Sequence, residues 1–177
     1  MLSVGDLIGA SPLLSALFHD EPTIEAMNLI GLDVNGVGNH EFHEGVDELI
    51  RMQEGGCHPV DGCIDGDGFA GANFRFLAAN VTWKRNGKPI FPAYKMFSFA
   101  GARMAVVGIV TGTTPSIVLA SGIQAVDFHD EADTVNALIP ELQKKGIDTI
   151  VVLIREGGFP TGGYNECRAS RDRSSTS

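Results

Sequence analysis

Three polar side chains that could act together on a phosphoryl group follow short apolar runs in the sequence. Asp6 comes after residues 2–4, and Asn39 and His40 come after residues 32–37. A carboxylate can bridge two cations, an amide carbonyl adds a neutral oxygen ligand, and an imidazole beside the metals can protonate a leaving oxygen. Two cations about 3.5–4 Å apart would hold the attacking and the leaving oxygen at once. These residue types are the ones that a binuclear metal centre requires.

Each of these residues also has an ordinary structural interpretation. An aspartate after a strand, such as Asp6, commonly makes a turn or caps a helix, and a loop histidine such as His40 commonly makes only hydrogen bonds. Glu41 and Glu44 fit solvated or helix-initiating positions, and Glu41 could alternatively orient a metal ligand by accepting a hydrogen bond. The pair His40-Glu41 does not begin a zinc-protease helix motif, because position 44 holds glutamate instead of the second histidine.

The elements that must position these side chains alternate between strands and helices. Strands are predicted to end near Asp6, Asn39 and Arg155, and polar residues follow each of them. The alternation favours an α/β sandwich of mixed sheets with flanking helices, whose strand ends meet along one edge. The pattern predicts strands over residues 33–37, 76–81, 94–99, 103–110 and 147–154, helices over residues 20–31, 46–54 and 131–145, and a short helix or strand over residues 117–119.

Composition excludes several classes of function. The chain has 177 residues, of which 44% are hydrophobic, and this predicts one globular domain with a sizeable core. Its net charge of -9 would repel a phosphate backbone, so we expect no nucleic acid polymer as a partner. No apolar run approaches the roughly 20 residues that cross a bilayer, and the first residues lack the features of a signal peptide. We therefore expect no membrane association. We also expect a disordered tail over residues 167–177, because its composition is too polar to form a packed core.

A loop over residues 57–68 is rich in glycine and aspartate and contains Cys57 and Cys63. So flexible a segment can close a disulfide between these cysteines, which would indicate an oxidising compartment, and two free thiols are the alternative. The Asp-x-Asp run of the loop lacks the later glutamate of an EF-hand, so calcium binding of that type is not expected.

The longer motifs resemble those of a known family. The pair Gly5-Asp6 and the run Gly-Asn-His-Glu-Phe at residues 38–42 resemble the calcineurin-like metallophosphoesterases, and in particular the secreted bacterial 5'-nucleotidases. The resemblance extends through residues 79–81, 108–111 and 151–158. It implies that residues 1–166 form part of such a phosphatase domain. It also implies hydrolysis of nucleoside monophosphates or related phosphomonoesters, with two divalent ions of the Zn, Mn, Mg or Ca type and a secreted or cell-envelope location.

The resemblance also implies a role for each matching residue. Asp6 would be the bridging metal ligand, Asn39 a ligand of one metal, and His40 the catalytic histidine near the scissile phosphate. Where the family has a metal-binding histidine after its last apolar strand, this sequence has Arg155, a permanent cation that cannot bind a metal ion and would repel one.

Two family motifs have no counterpart in the sequence. No Asp-x-His precedes Asp6, and no Gly-His-x-His follows the last predicted strand, so we expect a domain truncated at both ends. The strand before Asp6 would then lie beside an unfilled place in the sheet, which predicts an exposed edge and self-association. Two hypotheses remain: part of a two-metal 5'-nucleotidase, inactive as this chain alone, or a non-catalytic remnant with at most weak metal binding.

Overall fold

The computed structural model describes residues 1–147 and 149–157. Within them lie eight strands, β1 (Leu2–Ser3), β2 (Val34–Gly36), β3 (Arg75–Leu77), β4 (Val81–Trp83), β5 (Tyr94–Phe99), β6 (Ala102–Ile109), β7 (Val126–Phe128) and β8 (Thr149–Ile154). The same residues form four α-helices, α1 (Leu13–Ala16), α2 (Glu21–Ile30), α3 (Val46–Glu54) and α4 (Glu131–Lys144), and three 3₁₀ turns, His40–Phe42, Thr114–Ser116 and Ala120–Ile123. No described helix is long and apolar enough to cross a membrane.

The strands form two three-stranded sheets and one short ribbon. In the first sheet β1, β2 and β3 are parallel and lie in that order, with Leu2 opposite Val34 and Val34 opposite Arg75. In the second sheet β6 lies between β5, to which it is antiparallel, and β8, to which it is parallel. The ribbon pairs β4 with β7 in antiparallel orientation. These mixed sheets with flanking helices confirm the predicted α/β fold class.

The first and second sheets pack face to face through buried aliphatic side chains. Val34 and Leu77 of the first sheet contact Val106 and Leu153 of the second. The approach is close because Gly36 has no side chain: a Cβ there would lie 2.8 Å from the Cβ of Leu153. Since real Cβ atoms do not come so near to one another, any larger residue at this position would separate the two sheets.

The helices cover the outer faces of these sheets. Ile24 of α2 and Leu49 of α3 pack with Phe42 and Phe76 in the main hydrophobic cluster. On the second sheet Leu142 of α4 packs in a separate cluster with the alternating apolar residues of β6. Helix α2 ends at Gly31, whose left-handed φ of 79° lets it close the helix without steric cost. The predicted helices over residues 20–31, 46–54 and 131–145 are confirmed to within a residue or two.

Other predicted elements were wrong. Residues 76–81 do not form one strand, because β3 ends at Leu77 and β4 begins at Val81 in a different sheet. Residues 117–119 form neither helix nor strand and lie between two 3₁₀ turns. The sequence pattern also missed α1 and β7, which are only four and three residues long and too short to show a period.

Asn80 explains why the chain turns between β3 and β4. Its buried side chain donates hydrogen bonds to the carbonyl oxygens of Val110 at 2.7 Å and His129 at 3.0 Å. Its Oδ1 accepts the amide N–H of Val110 at 2.9 Å. One side chain therefore replaces the backbone partners that a continuous strand would have used, and it joins the residue after β6 to the residue after β7.

Asn80→Ala should lower the free energy of unfolding by about 3 kcal/mol, because buried backbone groups of Val110 and His129 would lose their partners. Denaturant titration monitored by circular dichroism measures this change. The exposed residue Asn136 on α4 provides the matched control, and Asn136→Ala should stay within about 0.5 kcal/mol of the parent chain. Equal effects of the two substitutions would contradict the proposed role of Asn80.

Candidate active site

Asp6 lies in a tight turn that follows β1 and touches the turn after β2. Asp6 has a left-handed φ of 56°, which is uncommon for a residue other than glycine. The two turns approach so closely that a Cβ on Gly38 would lie 2.2 Å from Asp6 Oδ1. Gly38 is therefore required at this position, since a side chain would displace the Asp6 carboxylate.

Glu41 connects the two turns through its buried carboxylate. Oε2 accepts the amide N–H groups of Asp6 and Gly38, both at 2.9 Å, and Oε1 accepts the amide of Leu7 at 2.9 Å. Oε1 also accepts a hydrogen bond from the side-chain amide of Asn35 at 3.1 Å. Four donors from two separate segments thus converge on one carboxylate, and they fix the position of Asp6.

Burial raises the pKa of Glu41, while the hydrogen bonds donated by Leu7, Asp6 and Asn35 oppose the rise. Glu41 is only 3% exposed, so the expectation of a solvated residue was wrong, whereas the alternative of a helix-initiating position agrees with its place in the first turn of the 3₁₀ segment His40–Phe42. Glu44, by contrast, is exposed as expected. The role that we expected of Glu41 as an acceptor that orients a metal ligand stays a prediction, although the carboxylate does hold the backbone of Asp6.

His40 lies beside the Asp6 carboxylate. The amide N–H of His40 donates to Asp6 Oδ1 at 3.3 Å, and its ring Nε2 lies 3.8 Å from Asp6 Oδ2. The Asp6 side chain is 9% exposed and the His40 side chain 32% exposed, so the imidazole forms the more open side of the site. This arrangement leaves the histidine accessible to a ligand that contacts the carboxylate.

Two buried atoms of this site have no hydrogen-bond partner among the described residues, namely Asp6 Oδ2 and His40 Nδ1. Asp6 Oδ2 is in direct contact with the guanidinium Nε of Arg155, but the geometry is that of an ion contact rather than of a directed hydrogen bond. A buried carboxylate oxygen without a hydrogen bond suits a bound cation. In this chain a guanidinium supplies the neighbouring positive charge.

Arg155 follows β8 and separates two open cavities. The larger cavity, of about 580 Å³, is lined by Arg155 together with Asn39, Thr111 and Thr113. The smaller one, of about 310 Å³, is lined by Arg155, Asp6 and His40 among others. Asn39 therefore lines the larger cavity and Asp6 the smaller one, and Arg155 lines both.

The sequence interpretation did not assign a role to Thr111 and Thr113. Both line the larger cavity, and their hydroxyl oxygens lie 3.0 Å apart. The signal that could have identified them is their position, because they follow the buried strand β6 just as Asp6 and Asn39 follow theirs.

Cys57 and Cys63 are joined by a disulfide in the structure, with their Cα atoms 4.6 Å apart. The bond closes a small loop in which the backbone of His58 pairs with that of Gly62. The loop follows α3 and carries His58 and Asp61 between its two cysteines.

Comparison with known proteins shows that the chain is similar to parts of several longer bacterial proteins. No protein-family model matches the chain. An endonuclease of Bacillus subtilis is 44% identical over 153 residues, which are 86% of this chain and 12% of that protein. A cell wall protein of Listeria monocytogenes is 34% identical over 93% of this chain and 21% of its own length. A 5'-nucleotidase of Vibrio vulnificus is 31% identical over 97% of this chain and 28% of its own length.

Solved structures agree with these relatives. A 5'-nucleotidase precursor from Thermus thermophilus matches with a TM-score of 0.68 and 25% identity, over 87% of this chain and 27% of that one. A calcineurin-like phosphoesterase from Bacillus subtilis matches in fold with a TM-score of 0.66 and 24% identity, over 96% of this chain and 50% of that one. Over nearly all of its length the chain is similar to part of proteins named 5'-nucleotidase, and it has the fold of a calcineurin-like phosphoesterase.

The chain spans well under two thirds of the length of the relatives that it matches. These similarities confirm the resemblance inferred from the sequence motifs. The cell wall protein among the relatives agrees with an extracellular or envelope location of family members.

Replacing Glu41 should disrupt the turns after β1 and β2 more than any other single change near Asp6. Glu41→Ala should lower the free energy of unfolding by about 3–5 kcal/mol, because it leaves buried N–H groups without acceptors. Glu41→Gln should cost about 2 kcal/mol, since one acceptor oxygen remains. Chemical denaturation tests both values, and Glu54→Gln at the exposed end of α3 serves as the control. If Glu41→Ala lowers the free energy of unfolding by only about 0.5 kcal/mol, the size expected of a surface substitution, then Glu41 does not hold the two turns together.

Proposed function

We propose that this chain is part of a phosphatase that acts on nucleoside 5'-monophosphates or related phosphomonoesters, with Asp6, Asn39 and His40 as its site residues. The observation that supports this proposal is the buried Asp6 oxygen without a hydrogen bond, at a strand end and beside an accessible imidazole. Strand ends are where open α/β sheets bind ligands, and a small phosphate fits the adjacent cavities better than a polymer does.

In the family that the motifs resemble, two divalent ions of the Zn, Mn, Mg or Ca type polarise the phosphoryl group and activate water. Asp6 is the residue of this chain that would hold such an ion, and Asn39 would add an amide oxygen from the neighbouring cavity. His40 Nε2 faces the same side as Asp6 Oδ2 and would donate a hydrogen bond to a phosphoryl oxygen.

The residues around Asp6 do not fit two metal ions. Among the described residues, groups of three histidine, cysteine or acidic ligands occur around His19 and not at Asp6. In addition, Arg155 holds a permanent positive charge against the oxygen that a cation would use. The described residues around Asp6 therefore give no support to a two-metal catalytic step in this chain.

This misfit favours a second candidate function, a non-catalytic remnant of the phosphatase with at most weak metal binding. The ion contact between Arg155 and Asp6 is the specific observation that supports it. In either case the ligand would be a nucleotide or phosphomonoester. Polymeric nucleic acid is disfavoured by the net charge of -9, and the endonuclease relative shares only 12% of its own length with this chain.

Three further features of the protein are proposals. The phosphatase domain would extend over residues 1–166, although residues 158–177, with the expected tail, lie outside the described part. Among the described residues, strand β1 has a neighbour on one side only, and this edge would support self-association. An envelope or secreted location would agree with the disulfide between Cys57 and Cys63.

The chain alone should release negligible phosphate from AMP in the presence of manganese or zinc, because the described residues around Asp6 do not supply the ligands for a pair of ions. A colorimetric phosphate assay with a long incubation tests this expectation. Turnover that disappears in Asn39→Ala or His40→Ala would contradict it and would show that the described residues suffice for catalysis.

Arg155→His should strengthen manganese binding at Asp6 by at least about tenfold, because it removes a positive charge and adds an imidazole ligand. Isothermal titration calorimetry measures the affinity. Arg155→Gln removes only the charge and should give a smaller gain, while Arg155→Lys keeps the charge and should give none. The gain should vanish when Asp6→Asn is added to Arg155→His, and a gain that survives would place the ion elsewhere.

A further inference from the structure

A second group of ligand side chains lies between the segment before α2 and the disulfide loop. It consists of His19, His58 and Asp61, and we refer to these three residues as the His19 cluster. The imidazole rings of His19 and His58 are stacked with their centroids 3.8 Å apart. One nitrogen of each ring and one oxygen of Asp61 lie within 4.8 Å of one another. Neither the motifs of the phosphatase nor the proposed function uses these residues.

The short contacts in the His19 cluster bring lone pairs together. His58 Nδ1 accepts the amide N–H of Asp61 at 3.1 Å, so it carries a lone pair, and it also faces Asp61 Oδ2 at 3.3 Å. A ring nitrogen cannot accept one hydrogen bond and donate another at the same time. The contact between Nδ1 and Oδ2 therefore places two electron-rich atoms against each other without a proton between them. A cation bound between them would remove this repulsion.

The same problem arises at His19. Glu44 Oε2 lies 2.7 Å from Nδ1, and Asp61 Oδ2 lies 3.0 Å from Nε2. A neutral imidazole has one proton and can donate to only one of these carboxylates. If the proton is on Nδ1, the lone pair of Nε2 points at Asp61, on the same side as His58.

The distances match the ligand shell of zinc. Zinc binds imidazole nitrogen and carboxylate oxygen at about 2.0–2.2 Å in tetrahedral geometry, which places neighbouring ligand atoms about 3.3–3.6 Å apart. Asp61 Oδ2 lies 3.0 Å from His19 Nε2 and 3.3 Å from His58 Nδ1. Both distances from Asp61 Oδ2 are within a few tenths of an ångström of these values, and one of the stacked rings must also turn so that both lone pairs point at the ion.

The residues around the His19 cluster also suit a metal site. A ligating histidine usually donates its second N–H to a carboxylate, and Glu44 is placed to accept it from His19. Glu48 is less suited as a ligand, because Arg51 Nη2 donates to it at 2.6 Å and Arg51 Nε at 2.9 Å. The disulfide restricts the loop that carries His58 and Asp61, so less conformational entropy is lost when the ion binds.

We propose that His19 Nε2, His58 Nδ1 and Asp61 Oδ2 bind one divalent transition-metal ion of the zinc type. Two imidazoles and one carboxylate form a donor set that zinc prefers over magnesium or calcium. The ion fastens the disulfide loop to the segment before α2 and leaves one coordination position open to solvent, since Asp61 is about half exposed. The proposal is independent of the phosphatase activity.

Zinc titration of the full chain with its disulfide intact tests the site. To exclude ions at the candidate active site, the titration uses Asp6→Asn as the parent, and we expect one equivalent of zinc to bind. Glu44→Gln should weaken binding roughly 10–100-fold, and Asp61→Asn at least as much, since it removes a direct ligand. Asp65→Asn provides a matched control, because Asp65 lies exposed in the same loop without belonging to the cluster.

Cobalt supplies a readout that a purely structural role of these residues would not give. Co²⁺ bound by the His19 cluster should show the visible absorption of a tetrahedral ion, and zinc should displace it. Absence of zinc binding, or equal affinities in Asp61→Asn and Asp65→Asn, would overturn the proposal. In that case His19 is a protonated imidazolium between two carboxylates: burial lowers the pKa of His19, but its hydrogen bonds with Glu44 and Asp61 outweigh this and raise it.

Discussion

The buried carboxylate of Glu41 is the interaction on which the candidate active site depends. It accepts backbone N–H groups from the turn after β1 and from the turn after β2, which are more than thirty residues apart along the chain. Without this acceptor, the buried amides of Asp6 and Gly38 would have no partner, and the cost would be several kcal/mol by the usual magnitude of unsatisfied buried donors. The position of Asp6 is thus a consequence of Glu41. The motif at residues 38–42 contains both this residue, which holds the backbone of the two turns, and the candidate catalytic residue His40.

Charge balance explains the rest of the site. Glu41 is surrounded by donors and needs no counter-ion, whereas one oxygen of Asp6 has no hydrogen bond and faces a positive charge. That charge comes from Arg155 at the end of β8, in the other sheet, so the site exists only because the two sheets pack through Val34 and Leu153. An arginine at this place supplies a positive charge where a metal ion would otherwise lie, so similarity to the phosphatases does not by itself imply catalytic competence.

Features that depend on neighbouring residues were predicted correctly from the sequence, and features that depend on hydrogen bonds between distant residues were not. Helices α2 and α4 were predicted because helical periodicity and a glycine at the end are local signals. Residues 76–81 were predicted wrongly as one strand because the apolar run is continuous, and the break depends on hydrogen bonds from Asn80 to residues 30 and 49 positions away. Glu41 was expected to be solvated for the same reason, since its donors at residues 6 and 7 are remote in sequence.

The sequence by itself indicated the fold class and Asp6, Asn39 and His40 as candidate site residues. These follow from residue types and short spacings, which are properties of contiguous segments. Only the tertiary structure decided that Arg155 lies against Asp6, that Arg155 lines a cavity with Asn39, and that the His19 cluster forms at all. Each of these depends on side chains from segments that packing brings together, and a charge or a lone pair acts on its neighbours in space rather than in sequence.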